Sequence, residues 1–190
     1  RCFLVAGDPP EPEGPFFDSS ALIATGAFER CGIKAIGVGG HPEGHPVMSE
    51  RECWEVLEHK VADIEARGMA PLVVTQFGFD PDAFLGWLRQ ARQRGIDTPI
   101  RIGVPGPAGI KTLLRFAARC GVGASASVMK KYGVSITNLI GSAGPDKLVD
   151  QFAAGLGDEH GRVRLHFYPF GGLLKTVEWI NNYNHRHGIG

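Results

Sequence analysis

The chain has 190 residues, 43% of them hydrophobic and 21% charged, and its 20 basic side chains cancel its 20 acidic ones. That size suits one globular domain with a real core, and a formal charge of zero argues against a nucleic-acid partner. No apolar run nears the ~20 residues that span a bilayer, and the N-terminus lacks a signal-peptide layout. Cys2, Cys31, Cys53 and Cys120 lie far apart without a CxxC pair. They fit reduced thiols in a cytoplasmic setting better than a disulfide framework.

Short β-rich runs alternate with longer segments of helical spacing. Cys2–Val5 reads as the first strand, and a helix fits Ser19 to Arg30. The second strand, Ala35–Val38, precedes a helix with Trp54, Leu57, Val61 and Ile64 on one face. Ser49 with Glu52 three residues on gives that helix a capping box. Pro71–Thr75 is the third strand. Asp80-Pro81 then opens a helix lined by Phe84, Leu88 and Ala91, which Gly95 stops. Pro99–Ile102 follows as the fourth strand. Ile110, Leu113, Leu114 and Ala117 mark a helix ending at Gly121, and Val149, Phe152, Ala153 and Leu156 mark another before Gly157. Val163–Phe167 is the fifth strand, and a helix fits Leu173 to Tyr183. Trp54, Trp87 and Trp179 fall on helix faces, where packing is the expected role.

Nearly continuous apolar strands alternating with helices predict a parallel sheet with right-handed crossovers. A doubly wound sheet and a (β/α)8 barrel both fit. A barrel takes eight strands and typically about 250 residues. Here there are five units, and the first begins at Arg1 rather than at a methionine. The expectation is one barrel domain over residues 1–190 that lacks its N-terminal strands, which would leave the sheet edges open.

In either architecture ligands sit beyond the carboxyl ends of the strands. Those ends carry Gly7-Asp8-Pro9-Pro10, the run from Gly39 to Pro46, Gln76-Phe77-Gly78-Phe79-Asp80, Gly103 to Pro107 and Tyr168 to Gly172. One carboxylate, two imidazoles, an amide and several aromatics would converge there, as suits a flat, hydrogen-bonding heterocycle. Each residue also has a plainer role. Asp8 could cap a turn before its prolines. Gln76 could satisfy a buried backbone group. His41, Glu43 and His45 lie within five residues, but a two-proline loop does not impose metal geometry and no further ligand is evident, so no metal is expected. Neither GxGxxG nor GxxxxGK[ST] occurs, and there is no GxSxG nucleophile elbow.

In order and spacing these loops resemble the methylenetetrahydrofolate reductase family. The matching pieces are Gly7-Asp8-Pro9-Pro10, His41-Pro42-Glu43-Gly44-His45-Pro46, Val74 through Asp80, Gly95-Ile96-Asp97 leading to Gly103 through Pro107, and His166-Phe167-Tyr168. The resemblance implies a (β/α)8 barrel that reduces 5,10-methylenetetrahydrofolate to 5-methyltetrahydrofolate, an oxidoreductase of one-carbon and methionine metabolism. It implies NAD(P)H as hydride donor and FAD as cofactor. By the same resemblance Asp8 stands near pterin and flavin and stabilises the cationic iminium form of the folate. Gln76 hydrogen-bonds the pterin. Gly7, His41, His45 and Lys60 contact the flavin cofactor. Phe77 and Phe79 wall off water, and Tyr168 lines the substrate site. The sequence departs from the family at Ala6 and Gly172, where arginine is usual, and at His41, where tyrosine is. The family's proton-donating glutamate would lie upstream of Arg1. Two alternatives therefore stand beside the reductase: a folate-binding barrel without flavin chemistry (a binding protein or one-carbon transferase), or an inactive fragment. Homo-oligomerisation stays open.

Overall fold

The computed structural model describes residues 1–6, 14–122 and 142–189. In chain order the described elements are β1 (Cys2–Phe3), α1 (Ser19–Ala24), α2 (Ala27–Arg30), β2 (Ala35–Gly40), α3 (Glu50–Ala66), β3 (Ala70–Phe77) and α4 (Pro81–Gln93). There follow β4 (Ile100–Pro105), β5 (Ala108–Gly109), α5 (Ile110–Arg119), β6 (Ser142–Ala143), α6 (Asp146–Gly155), a 3-10 turn at Asp158–His160, β7 (Val163–Tyr168) and α7 (Leu173–His187).

Five strands form one parallel sheet in the order β1-β2-β3-β4-β7. The order never reverses, so the sheet has no switch point of the doubly wound kind. With right-handed crossovers, a monotonic order puts every connecting helix on the same side. This is the wall of an α/β barrel: helices outside, a second face turned inward.

Strand alternation sorts the residues between those faces. Ile36, Val38, Val73, Ile100, Ile102 and Val104 point to the helices and are almost wholly buried. They join Trp54, Leu57, Ile64, Phe84, Leu88 and Phe152 in one continuous core. Trp54 and Trp87 stack with centroids 5.0 Å apart, which bears out their packing role.

Local signals set most element ends. Ser49 Oγ accepts from the Glu52 amide while the Glu52 carboxylate accepts from the Ser49 amide, closing the capping box on α3. Asp80 caps α4, with Pro81 in its first turn. The expected helix from Ser19 to Arg30 is two helices instead. Gly26 adopts a left-handed φ of 68°, and the Thr25 hydroxyl donates to the Leu22 carbonyl, ending α1 before α2 begins. β2, β3, β4 and β7 extend further toward their carboxyl ends than the apolar runs suggest, through Gly40, Phe77, Pro105 and Tyr168, whereas β1, expected over Cys2–Val5, stops at Phe3. The two-residue antiparallel ribbon β5–β6 has no counterpart in the sequence reading.

Candidate functional site

Glu43, in the loop after β2, fastens that loop to the one after β3. Its Oε1 accepts the backbone N–H groups of Phe79 at 2.7 Å and Asp80 at 2.8 Å. These amides start the turn into α4, so one carboxylate orders both the loop and the helix entry. Burial pushes the Glu43 carboxyl above its usual range, and the neighbouring Asp80 charge adds to that, although both N–H bonds pull the other way.

β3 holds one extra residue between Val74 and Phe77 relative to β4. Such a bulge leaves a ladder amide needing a new acceptor. Thr75 supplies it: its fully buried hydroxyl accepts from the Gly103 amide at 2.8 Å and donates to the Gln76 carbonyl at 2.9 Å. A Cβ on Gly103 would stand 2.6 Å from the Thr75 and Gln76 carbonyl oxygens, so only glycine fits opposite the bulge. From the far side of the sheet the Tyr168 hydroxyl donates to the Thr75 carbonyl at 2.9 Å. Burial pushes the Tyr168 phenol up to about 12, which keeps it a neutral donor.

The Gln76 side-chain amide donates to the Cys120 carbonyl at 3.2 Å, just past the end of α5. A Cβ on the next residue, Gly121, would lie 3.1 Å from Pro46. The ends of β2, β3 and α5 therefore meet around Gln76. Beside them Phe77 packs edge-on to Phe79, Phe170 and, tilted, Tyr168, with centroids 5.9, 4.7 and 5.7 Å apart, and Phe170 stacks on Phe116 at 4.3 Å.

The structure thus gathers Gln76, Phe77, Phe79 and Tyr168 at one rim, with the His41–Pro46 loop stapled to them by Glu43. His41 and His45 meet edge to face with ring centroids 4.8 Å apart. His41 and Glu43 line a cavity of about 370 Å³ that is backed by Trp54 and Trp87. Phe79 is fully buried, so it supports the rim from beneath. Lys60 is half-buried midway along α3, in the helical layer; burial lowers its pKa and the Asp18 charge partly restores it. Gly7 and Asp8 lie outside the described residues. Among the described residues no cluster of three or more His, Cys, Asp or Glu side chains is placed to hold a metal ion, and no helix is long and apolar enough to cross a membrane.

Glu43 and Thr75 hold this rim in ways the sequence does not show. In the sequence Glu43 reads only as a weighed metal ligand, whereas its partners are backbone amides 36 and 37 positions away. Thr75 read as one more β-branched strand residue; its single polar atom in an otherwise apolar run is the signal that was there.

Sheet order, rim glycines and strand-end geometry define an α/β-barrel protein whose polar and aromatic side chains gather at its carboxyl rim. Residues 11–170 match the family described as methylenetetrahydrofolate reductase, and the chain belongs to that family. It is 34% identical over 120 residues to "Methylenetetrahydrofolate reductase 2" of Saccharomyces cerevisiae, covering 60% of this chain and 19% of the yeast protein. It is 31% identical over 126 residues to "Methylenetetrahydrofolate reductase (NADH) 1" of Arabidopsis thaliana, covering 60% of this chain and 21% of that relative. The protein of the same name in Zea mays gives the same identity and coverage. The alignments thus span about a fifth of the relatives' length.

Proposed function

We propose that the chain carries the folate-facing wall of a methylenetetrahydrofolate reductase, which reduces 5,10-methylenetetrahydrofolate to 5-methyltetrahydrofolate with a reduced nicotinamide and FAD, in the cytoplasm. The observation that carries this reading is the family match over residues 11–170, which takes in the loops that Glu43 and Thr75 bind into one rim. The names of the Arabidopsis and maize relatives specify NADH, so NADH is the donor to test first.

The residues present fit a flavin dinucleotide in kind. His41 and His45 offer imidazoles near the rim, and Lys60 an ammonium ten residues into α3, about 15 Å along its axis. An elongated, phosphate-bearing group is what such a spread would suit. When bound, FAD supplies a two-electron relay between nicotinamide and folate. This chain's own residues bind and orient. Gln76, exchanging its contact with the Cys120 carbonyl for a ligand, can donate to and accept from a pterin edge. Tyr168, neutral and tied to Thr75, fixes the apolar side of the rim, and Phe77 with Phe170 keeps water from it. Asp8 is proposed as the fixed negative charge beside the reacting ring.

Absorbance of the purified chain after incubation with FAD, followed by anaerobic mixing with NADH and then with the folate, tests the reading. The expected result is bound flavin that NADH bleaches and the folate restores. A colourless chain that still binds the folate would favour a folate-binding barrel, and a chain that binds neither would mark an inactive fragment.

A further inference from the structure

Among the described strand residues, the inner face of the sheet is charged in one sense only. Ile100, Ile102 and Val104 face the helices, so alternation turns Arg101, Gly103 and Pro105 of β4 inward. Arg101 pairs in register with Arg164 of β7. The two side chains therefore leave neighbouring strands about 4.8 Å apart and point the same way. His166, two residues further along β7, shares that face, its ring centroid 4.9 Å from that of Tyr168. On β1 to β3 the inward positions below the bulge are Phe3, Ala35, Gly37, Gly39, Ala70, Leu72 and Val74, none of them acidic. In a chain with equal numbers of acids and bases, this face holds two guanidinium groups, an imidazole and no carboxylate among the described strand residues.

Neither arginine has an ion pair or side-chain hydrogen bond among the described residues. Like charges directly opposite each other on a sheet repel. An oxyanion between them removes that repulsion, since each guanidinium offers a planar fork of N–H donors matched to two oxygens. We propose that Arg101 and Arg164, with His166 above them, form an oxyanion-binding site on the inner face of β4 and β7, for a ligand bearing a phosphate group or a close pair of carboxylates. The two arginines lie below the strand-end rim, four residues before Pro105 and Tyr168, about 13 Å along the strands. His166 stands between the two levels, its ring beside that of Tyr168. The arginines have no part in the folate reading, so the proposal does not rest on it.

His166 supplies an internal reporter. Burial lowers its pKa, and the Arg101 charge lowers it further. The titratable and charged groups that face it among the described residues are Arg101 on β4 and, on its own strand, Arg164 and Tyr168. A bound oxyanion offsets the cationic field, so the imidazole pKa rises.

Calorimetric titration of the full 190-residue chain with inorganic pyrophosphate and with malonate tests the site. One saturable event is expected for at least one probe. Tighter pyrophosphate would assign a phosphate ligand, and tighter malonate a dicarboxylate. Arg101→Gln and Arg164→Gln should each weaken binding about tenfold, the loss of one charge-assisted contact. Arg51→Gln, which removes an exposed α3 arginine paired with Glu55, should leave it unchanged. Arg164 is exposed, so its variant should keep the fold, which circular dichroism checks. The NMR titration of His166 should move upward in the presence of the tighter probe. Absence of saturable binding below about 10 mM for both probes, equal affinity in Arg164→Gln, or an unmoved His166 titration would overturn the proposal.

Discussion

Glu43 and Gly78 divide one small space between them. A Cβ on Gly78 would overlap the Glu43 Oε1 and the Phe84 Cε2, and would lie 2.8 Å from the Glu43 Cδ. The carboxylate that holds the loop amides thus also requires glycine at the loop's apex. Gly78→Ala should cost about 1–3 kcal/mol, the usual range for overpacking a tight site. Combining it with Glu43→Ala should be less than additive, because the two changes compete for that space. Thermal melts of the two single variants and the double variant check this; strict additivity would mean that loop and carboxylate do not touch in solution.

Glu43→Ala alone leaves the Phe79 and Asp80 amides without their acceptor, at about 1–3 kcal/mol for each buried group. Glu43→Gln keeps a side-chain oxygen that can accept both. Hydrogen exchange at these two amides should be fast in the alanine variant and slow in the glutamine variant. Equal rates in both would remove the staple.

The Glu43 carboxyl also gives a pH signature. Its folded pKa is raised by burial above the ordinary glutamate value of 4.5, so the native state holds the proton more tightly than the unfolded chain does. Between the unfolded and folded values the native state binds more protons, and stability falls as pH rises through that window. The wild-type chain should therefore gain stability relative to Glu43→Gln on acidification toward 4.5. Denaturant melts across that range, showing a constant difference between the two proteins, would contradict the raised value.

Thr75→Val keeps the β-branched shape and deletes the hydroxyl that serves the bulge. The Gly103 amide loses its acceptor, and the expected cost is about 1–3 kcal/mol, with Thr75→Ser much milder. Chemical denaturation of the two variants separates them. A valine as stable as wild type would mean water or a shifted register satisfies that amide.

Tyr168→Phe removes the bond to the Thr75 carbonyl and should cost about 0.5–1.5 kcal/mol. Tyr168 and Tyr183, both pushed up to about 12, should show little tyrosinate absorbance below that pH. Ionisation of either near the ordinary phenol value would show that its surroundings are wetter than described.

The architecture was legible because apolar runs, caps and stops are local signals. Ser49 with Glu52, Asp80 with Pro81 and the glycine after α4 each mark an element end through residues a few positions apart. The break at Gly26 was missed because the apolar pattern continues across it, while one left-handed residue is enough to end α1. At the rim, residue types and order pointed to Gln76, Phe77 and Tyr168. What holds them is long-range: Tyr168 reaches a carbonyl 93 positions back, and Gln76 one 44 positions ahead. No spacing rule encodes such pairs. The choice of barrel over doubly wound sheet likewise lay in strand order, which appears only once the strands are paired.

The extra residue in β3 puts the top of that strand out of step with its base. Inside and outside are assigned separately for residues 70–74 and for the tip that begins at Thr75. The lower half can therefore be rewritten for stability without re-aiming the upper half. Conversely, residues 75–80 could be transplanted into another parallel sheet only together with their counter-loop at 41–43 and with the Gly103, Cys120 and Tyr168 positions that hold them.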